Sequence, residues 1–217
     1  MNNIDKITEQ QNLRSLKVDK MNVLEIIKLI NMEDKTVISA VSKIIKSLER
    51  LINNIISQLQ SGGRLFYVGS GTSGRLGILD AVECPPTFST EPKMIQGIIA
   101  GGNDALLQSI EGAEDNIEAG KSVIKENIID ANDIVVGISA SSTTPFVLSA
   151  LEESKKNGAI TGLIVCNKSP DIEFVDHIIP AITGPEVITG STRMKAGTAT
   201  IMILNIMRYH TTLLFSI

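Results

Sequence analysis

Cysteine and histidine are scarce in this 217-residue chain, with two of each. Cys84 and Cys166 are too few and too far apart for a disulfide framework, and no CxxC spacing accompanies them, so both are expected as buried thiols. His177 and His210 fall in no ligand spacing with each other or with a cysteine, which leaves a structural zinc or metal-assisted chemistry without support. Long apolar runs are missing as well. None approaches membrane-spanning length, and the polar start MNNIDKITEQQNLRSLKVDK lacks the apolar stretch of a secretory signal, so a cytoplasmic chain without membrane contact is expected. Positive charge is not concentrated anywhere. With a net charge of -4 and scattered Lys and Arg, the footprint of a nucleic-acid binder is absent, and an anionic ligand would need a local positive site. Internal repeats, low-complexity tracts and linkers are absent too.

What is present, 43% hydrophobic and 20% charged residues, suits one globular domain. From Val23 to Leu59 apolar residues recur at helical spacing (Val37, Val41, Ile44, Leu48, Leu51, Ile55) until Gly62-Gly63, which predicts a long amphipathic helix preceded by a shorter one. Short apolar runs at 64–68, 95–100, 134–138, 163–165 and 178–182 then alternate with helical stretches such as Pro145 to Lys156. That alternation predicts a parallel sheet with helices on both faces, an α/β fold, behind an N-terminal helical arm over residues 1–60. The body, residues 61–217, reads as one domain.

Three polar segments sit where strands or loops lead into helices. Gly69-Ser70-Gly71-Thr72-Ser73-Gly74 offers backbone N–H groups and hydroxyls that can converge on an anion, although glycine at such a turn can also serve backbone conformation alone. It lacks the P-loop lysine and fits the dinucleotide fingerprint poorly. Ser139-Ala140-Ser141-Ser142-Thr143-Thr144-Pro145 follows a second strand, with Pro145 suited to a first helical turn. Gly190-Ser191-Thr192-Arg193-Met194-Lys195 adds two cations behind hydroxyls expected to cap the last helix; the plainer alternative is a cap with two solvated cations. In open α/β sheets ligands gather beyond the carboxyl ends of the strands, where the first two loops lie. Glu83, beside Cys84-Pro85-Pro86, and Glu114 stand out by context, with the two prolines expected to turn the chain out of helix, but spacing alone gives neither glutamate a role.

Together, the segments GSGTSGRLGI at Gly69, LDAVECPPT ending at Thr87, EGAEDN at Glu111 and GPEVITGSTRMKAGTAT at Gly184 resemble the N-acetylmuramic acid 6-phosphate etherases, in order along most of the chain. The resemblance implies a sugar isomerase domain, a three-layer αβα sandwich on a five-stranded parallel sheet, working as a homodimer whose sites draw on both subunits. It implies cleavage of the lactyl ether of N-acetylmuramic acid 6-phosphate, giving N-acetylglucosamine 6-phosphate and D-lactate, by elimination and hydration with no cofactor. Glu83 matches the family's proton donor and Glu114 its second catalytic glutamate, taken as base, though the roles could be exchanged. Gly71, Thr72, Ser73, Ser139, Ser141, Ser191, Thr192 and Lys195 match segments that line the sugar phosphate pocket. Two departures stand out: Ser142-Thr143 replaces a more usual glycine and polar or basic residue, and the family's C-terminal helical region has no counterpart here. The rival reading is a non-enzymatic sugar phosphate sensor similar to glucokinase regulatory protein. A third reading is an aldose-ketose isomerase of the same domain type.

Overall fold

In the computed structural model, which describes residues 6–168 and 171–213, five short apolar runs become strands: β1 Leu65–Gly69, β2 Ile95–Ile99, β3 Ile134–Ile138, β4 Ile160–Val165 and β5 His177–Pro180. The order across the sheet is β2-β1-β3-β4-β5, and every neighbouring pair is parallel. β1 and β3 are buried along their whole lengths, as continuous apolar runs in a doubly covered parallel sheet should be. Leu65, Tyr67, Ile134, Val136 and Ile138 enter one core, while Phe66, Val68 and Val135 enter the other. The first face is covered by α1 Val23–Ser42, α2 Ile45–Gln60, α3 Gly71–Phe88 and α7 Lys195–Leu213, the second by α5 Ile117–Glu126 and α6 Pro145–Lys156. α4, Asp104–Leu107, is a single turn. The expected αβα sandwich is therefore present. Among the described residues no helix is long and apolar enough to cross a membrane.

The two N-terminal helices differ from the sequence expectation in their lengths, 20 residues for α1 against 16 for α2. The overlooked signal is a capping box: Asn22 Oδ1 accepts the Glu25 N–H at 3.0 Å and Glu25 Oε2 accepts the Asn22 N–H at 2.8 Å, which starts α1 at Val23. The α2 stripe of Leu48, Leu51, Ile52, Ile55 and Leu59 packs on the chain's own sheet, and Leu51 closes over Gly162 of β4. Because Leu51 is fully buried, Leu51→Ala is expected to lower stability by about 2–5 kcal/mol, read as a shift of the urea midpoint at unchanged slope.

Pro85 and Pro86 do not end α3. The helix continues to Phe88 and closes through Ser89, whose φ of 55° is left-handed and whose N–H donates to Pro85 O at 2.9 Å. The prolines deprive only the last turns of two donors, and the helix stops within three residues of them, so the usual penalty of interior proline is largely avoided. At its other end α3 lies against the strands through Gly74, where an added Cβ would stand 2.6 Å from Ile99 Cγ1 and 2.8 Å from Gly69 O. Glycine is required there by space.

Candidate functional site

The sheet adds β2 on one side of β1 and then returns to lay β3 on the other, so the connections leaving β1 and β3 diverge at their carboxyl ends. Such a switch point opens a crevice, and here it is a cleft of about 500 Å³. Ser70 and Ser73 line it from the start of α3; Ser139, Ser141, Thr143 and Thr144 line it from the loop between β3 and α6. Glu114 and Asp115, in the 3-10 turn Ala113–Asp115, and Gly190 and Thr192, ahead of α7, complete those walls. Neither Ser70 ahead of α3 nor Thr144 ahead of α6 caps its helix with its own side chain, which leaves N–H groups at two helix starts facing an anion. Ser139 Oγ and Thr144 Oγ1 share a hydrogen bond of 2.8 Å that fixes the mouth of the second loop.

In that loop Ser142 sits at φ 66°, the left-handed region that favours glycine. Ser142→Gly is expected to relieve the strain and stabilise the fold by about 1 kcal/mol, visible as a raised urea midpoint.

Of the residues singled out by sequence, the cleft gathers Ser73, Glu114, Ser139, Ser141 and Thr192. Thr72 and Ser191 lie outside its lining, and Gly71 faces an adjoining hollow of about 230 Å³ that shares Ser70 and Glu114 with the cleft. Arg75 holds that hollow's far wall by donating to Leu106 O at 3.1 Å and Gln108 O at 3.0 Å. Glu83 is exposed on α3 and lines a separate hollow of about 260 Å³ with Leu79, Asp80, Ile201 and Arg208. Within one chain the two glutamates therefore do not share a pocket.

Lys195 departs most from expectation. Its side chain is 2% exposed and its ammonium meets Oε2 of Glu33, midway along α1, at 2.7 Å. The other Glu33 oxygen meets Arg14 at 2.9 Å, and Asn12 donates to Oε2 at 2.8 Å. A lysine so engaged does not reach an anion in the cleft. Contrary to the sequence expectation, Ser191 and Thr192 do not cap α7. Instead the buried Glu186 carboxylate accepts the N–H groups of Lys195 at 3.0 Å and Ala196 at 2.9 Å. Burial raises the Glu186 pKa, opposed by those two bonds and by the Lys195 charge. Nothing local marks Glu186 as a cap nine residues ahead, and nothing marks Lys6 and Glu9, which also line the cleft. Cys84 and Cys166 are buried free thiols, each pushed up to about 12 by burial.

Residues 43–155 match the family model of the glucokinase regulatory protein N-terminal SIS domain. An N-acetylmuramic acid 6-phosphate etherase of Geobacillus sp. (strain WCH70) is 51% identical over 199 residues, 91% of this chain and 68% of that protein. Among solved structures, phosphoheptose isomerase GmhA from Neisseria gonorrhoeae aligns with a TM-score of 0.64 at 14% identity, over 87% of this chain and 97% of that one. The Vibrio vulnificus NanR protein, solved with ManNAc-6P, aligns with a TM-score of 0.60 at 14% identity, over 93% of this chain and 67% of that one.

Proposed function

The chain belongs to the N-acetylmuramic acid 6-phosphate etherase family, and from that premise we propose that it cleaves the lactyl ether of N-acetylmuramic acid 6-phosphate in amino sugar recycling. The observation that carries the assignment is Glu114 opening onto the same cleft as the hydroxyl-rich starts of α3 and α6. The hydroxyls and helix N–H groups suit a phosphate, and NanR, of the same fold, is named as a complex with ManNAc-6P.

In the open-chain sugar the C1 aldehyde acidifies the C2 proton. The Glu114 carboxylate takes that proton, the C3–O bond breaks as the C2=C3 double bond forms, and Glu83 gives its proton to the departing lactyl oxygen. Water then adds across the double bond, its oxygen at C3 and a proton returning to C2. The balance is one water consumed for N-acetylglucosamine 6-phosphate and D-lactate.

Because Glu83 and Glu114 line different hollows of one chain, the reading requires a homodimer in which Glu83 faces the cleft of the other copy. Exposed Leu79, Val82 and Ile201 around Glu83 support a covered surface there. Glu83→Gln and Glu114→Gln are each expected to reduce D-lactate release by at least about a hundredfold. Mixed in equal amounts after co-refolding, the two inactive variants should regain about a quarter of wild-type activity, since half the dimers are mixed and each carries one intact site. Absence of any recovery would argue against shared sites; undiminished release by either variant would remove that glutamate from the mechanism. A sensor similar to glucokinase regulatory protein would bind sugar phosphate and release no lactate.

A further inference from the structure

The N-terminal segment forms a wall of the cleft. Ile7–Glu9 makes one 3-10 turn, and Lys6, just before it, donates its ammonium to Thr143 Oγ1 at 2.8 Å. Thr143 belongs to the loop that opens α6, so this cation stands beside the uncapped N–H groups of that helix.

The segment is fastened rather than draped. Asn167, 3% exposed beyond the end of β4, accepts the Ile7 N–H at 2.7 Å and donates to Thr8 Oγ1 at 3.3 Å and to Ser141 O at 3.2 Å. One buried amide thus ties the strap to the hydroxyl loop itself. A second fastening, Asn12 and Arg14 on Glu33, holds the strap where it turns toward α1.

Charge makes the position consequential. Among the described residues lining the cleft, Lys6 is the only cation, against Glu9, Glu114 and Asp115. A phosphate monoester brings about two further negative charges at neutral pH. Hydroxyls and N–H dipoles can solvate that charge but do not offset three carboxylates, whereas a partly buried ammonium can make a charge-assisted bond.

We propose that Lys6 is a phosphate ligand supplied by the N-terminal strap, and that Asn167 is the positioning residue that sets it against the α6 loop. The proposal rests on the cleft being a sugar phosphate site.

The test uses the full chain. Lys6→Met should raise KM for N-acetylmuramic acid 6-phosphate about 10- to 100-fold with kcat changed less than about threefold, and Lys6→Arg should recover most of the loss. Protection against heat by inorganic phosphate or N-acetylglucosamine 6-phosphate should be lost in Lys6→Met, while D-lactate gives the same response in variant and wild type. Asn167→Ala should shift KM in the same direction, and adding it to Lys6→Met should add little, as expected of two residues serving one contact. Unchanged KM and undiminished phosphate protection in Lys6→Met would overturn the inference. A D-lactate response lost with Lys6 would assign the cation to the lactyl carboxylate and overturn the phosphate assignment. If the wild type shows neither protection nor lactate release, the sugar phosphate reading itself fails.

Discussion

Lys195→Met is expected to cost about 3–5 kcal/mol of folding stability, because it removes one partner of a buried ion pair and leaves the other charge in place. Glu33 is 4% exposed on its side chain, and without Lys195 its carboxylate keeps, among the described residues, the Arg14 and Asn12 contacts. At the lower end of that range the melting temperature of a domain this size falls by roughly 6–12 °C. The double variant Lys195→Met with Glu33→Leu should lose less than Lys195→Met alone, since apolar replacement of both partners removes the stranded charge. A double variant no better than the single would mean that the cluster acts through packing and not charge.

Acid gives the same cluster a second signature. Burial alone would raise the Glu33 pKa, but hydrogen bonds from Lys195, Arg14 and Asn12 outweigh it and hold the carboxyl below its ordinary range. A depressed carboxylate contributes stability above its unfolded pKa and loses it as pH falls through the folded value. That acid-side loss should be smaller in Lys195→Met than in the wild type.

The location of Lys195 also marks how far sequence can be read. Local pattern was sufficient where the determinant is local: β3, Ile134–Ile138, and α6, Pro145–Lys156, have the limits that an apolar run and a proline at a first helical turn imply. It failed where the partner is remote. Glu33 lies 162 residues from Lys195, so a lysine behind Ser191-Thr192 reads as an anion ligand until the fold carries α1 across it. The α7 cap failed for the same reason, since Glu186 reaches the helix start from a separate turn. The Ser/Thr loops were legible because strand-loop-helix order puts their residues at one edge of the sheet. The separation of Glu83 from Glu114 was not, because it depends on which side of α3 each pocket opens.

Asp80→Asn is expected to abolish a fall in stability between about pH 4 and pH 6. Asp80 lies one turn before Glu83, 5% exposed, with Arg208 Nη1 3.5 Å from Oδ1. The Tyr67 hydroxyl lies close enough to lower the Asp80 pKa, yet neither it nor Asp80 Oδ2 meets a partner in hydrogen-bond geometry among the described residues. Burial is the larger influence and raises the carboxyl to about 6, against the Arg208 charge and the Tyr67 hydroxyl. The sign follows from proton counting. Between the unfolded value near 3.8 and the folded value about 6, the unfolded chain has released the proton that the folded chain retains, so raising pH favours unfolding. Across the whole window this amounts to roughly 3 kcal/mol, with no further loss above it. Glu33 acts with the opposite sign, so the measurement is the difference between Asp80→Asn and wild type in urea at several pH values. That difference should grow in favour of the variant from pH 4 to 6 and then stay level; a difference independent of pH would mean that Asp80 is already ionised throughout, with Arg208 compensating its burial.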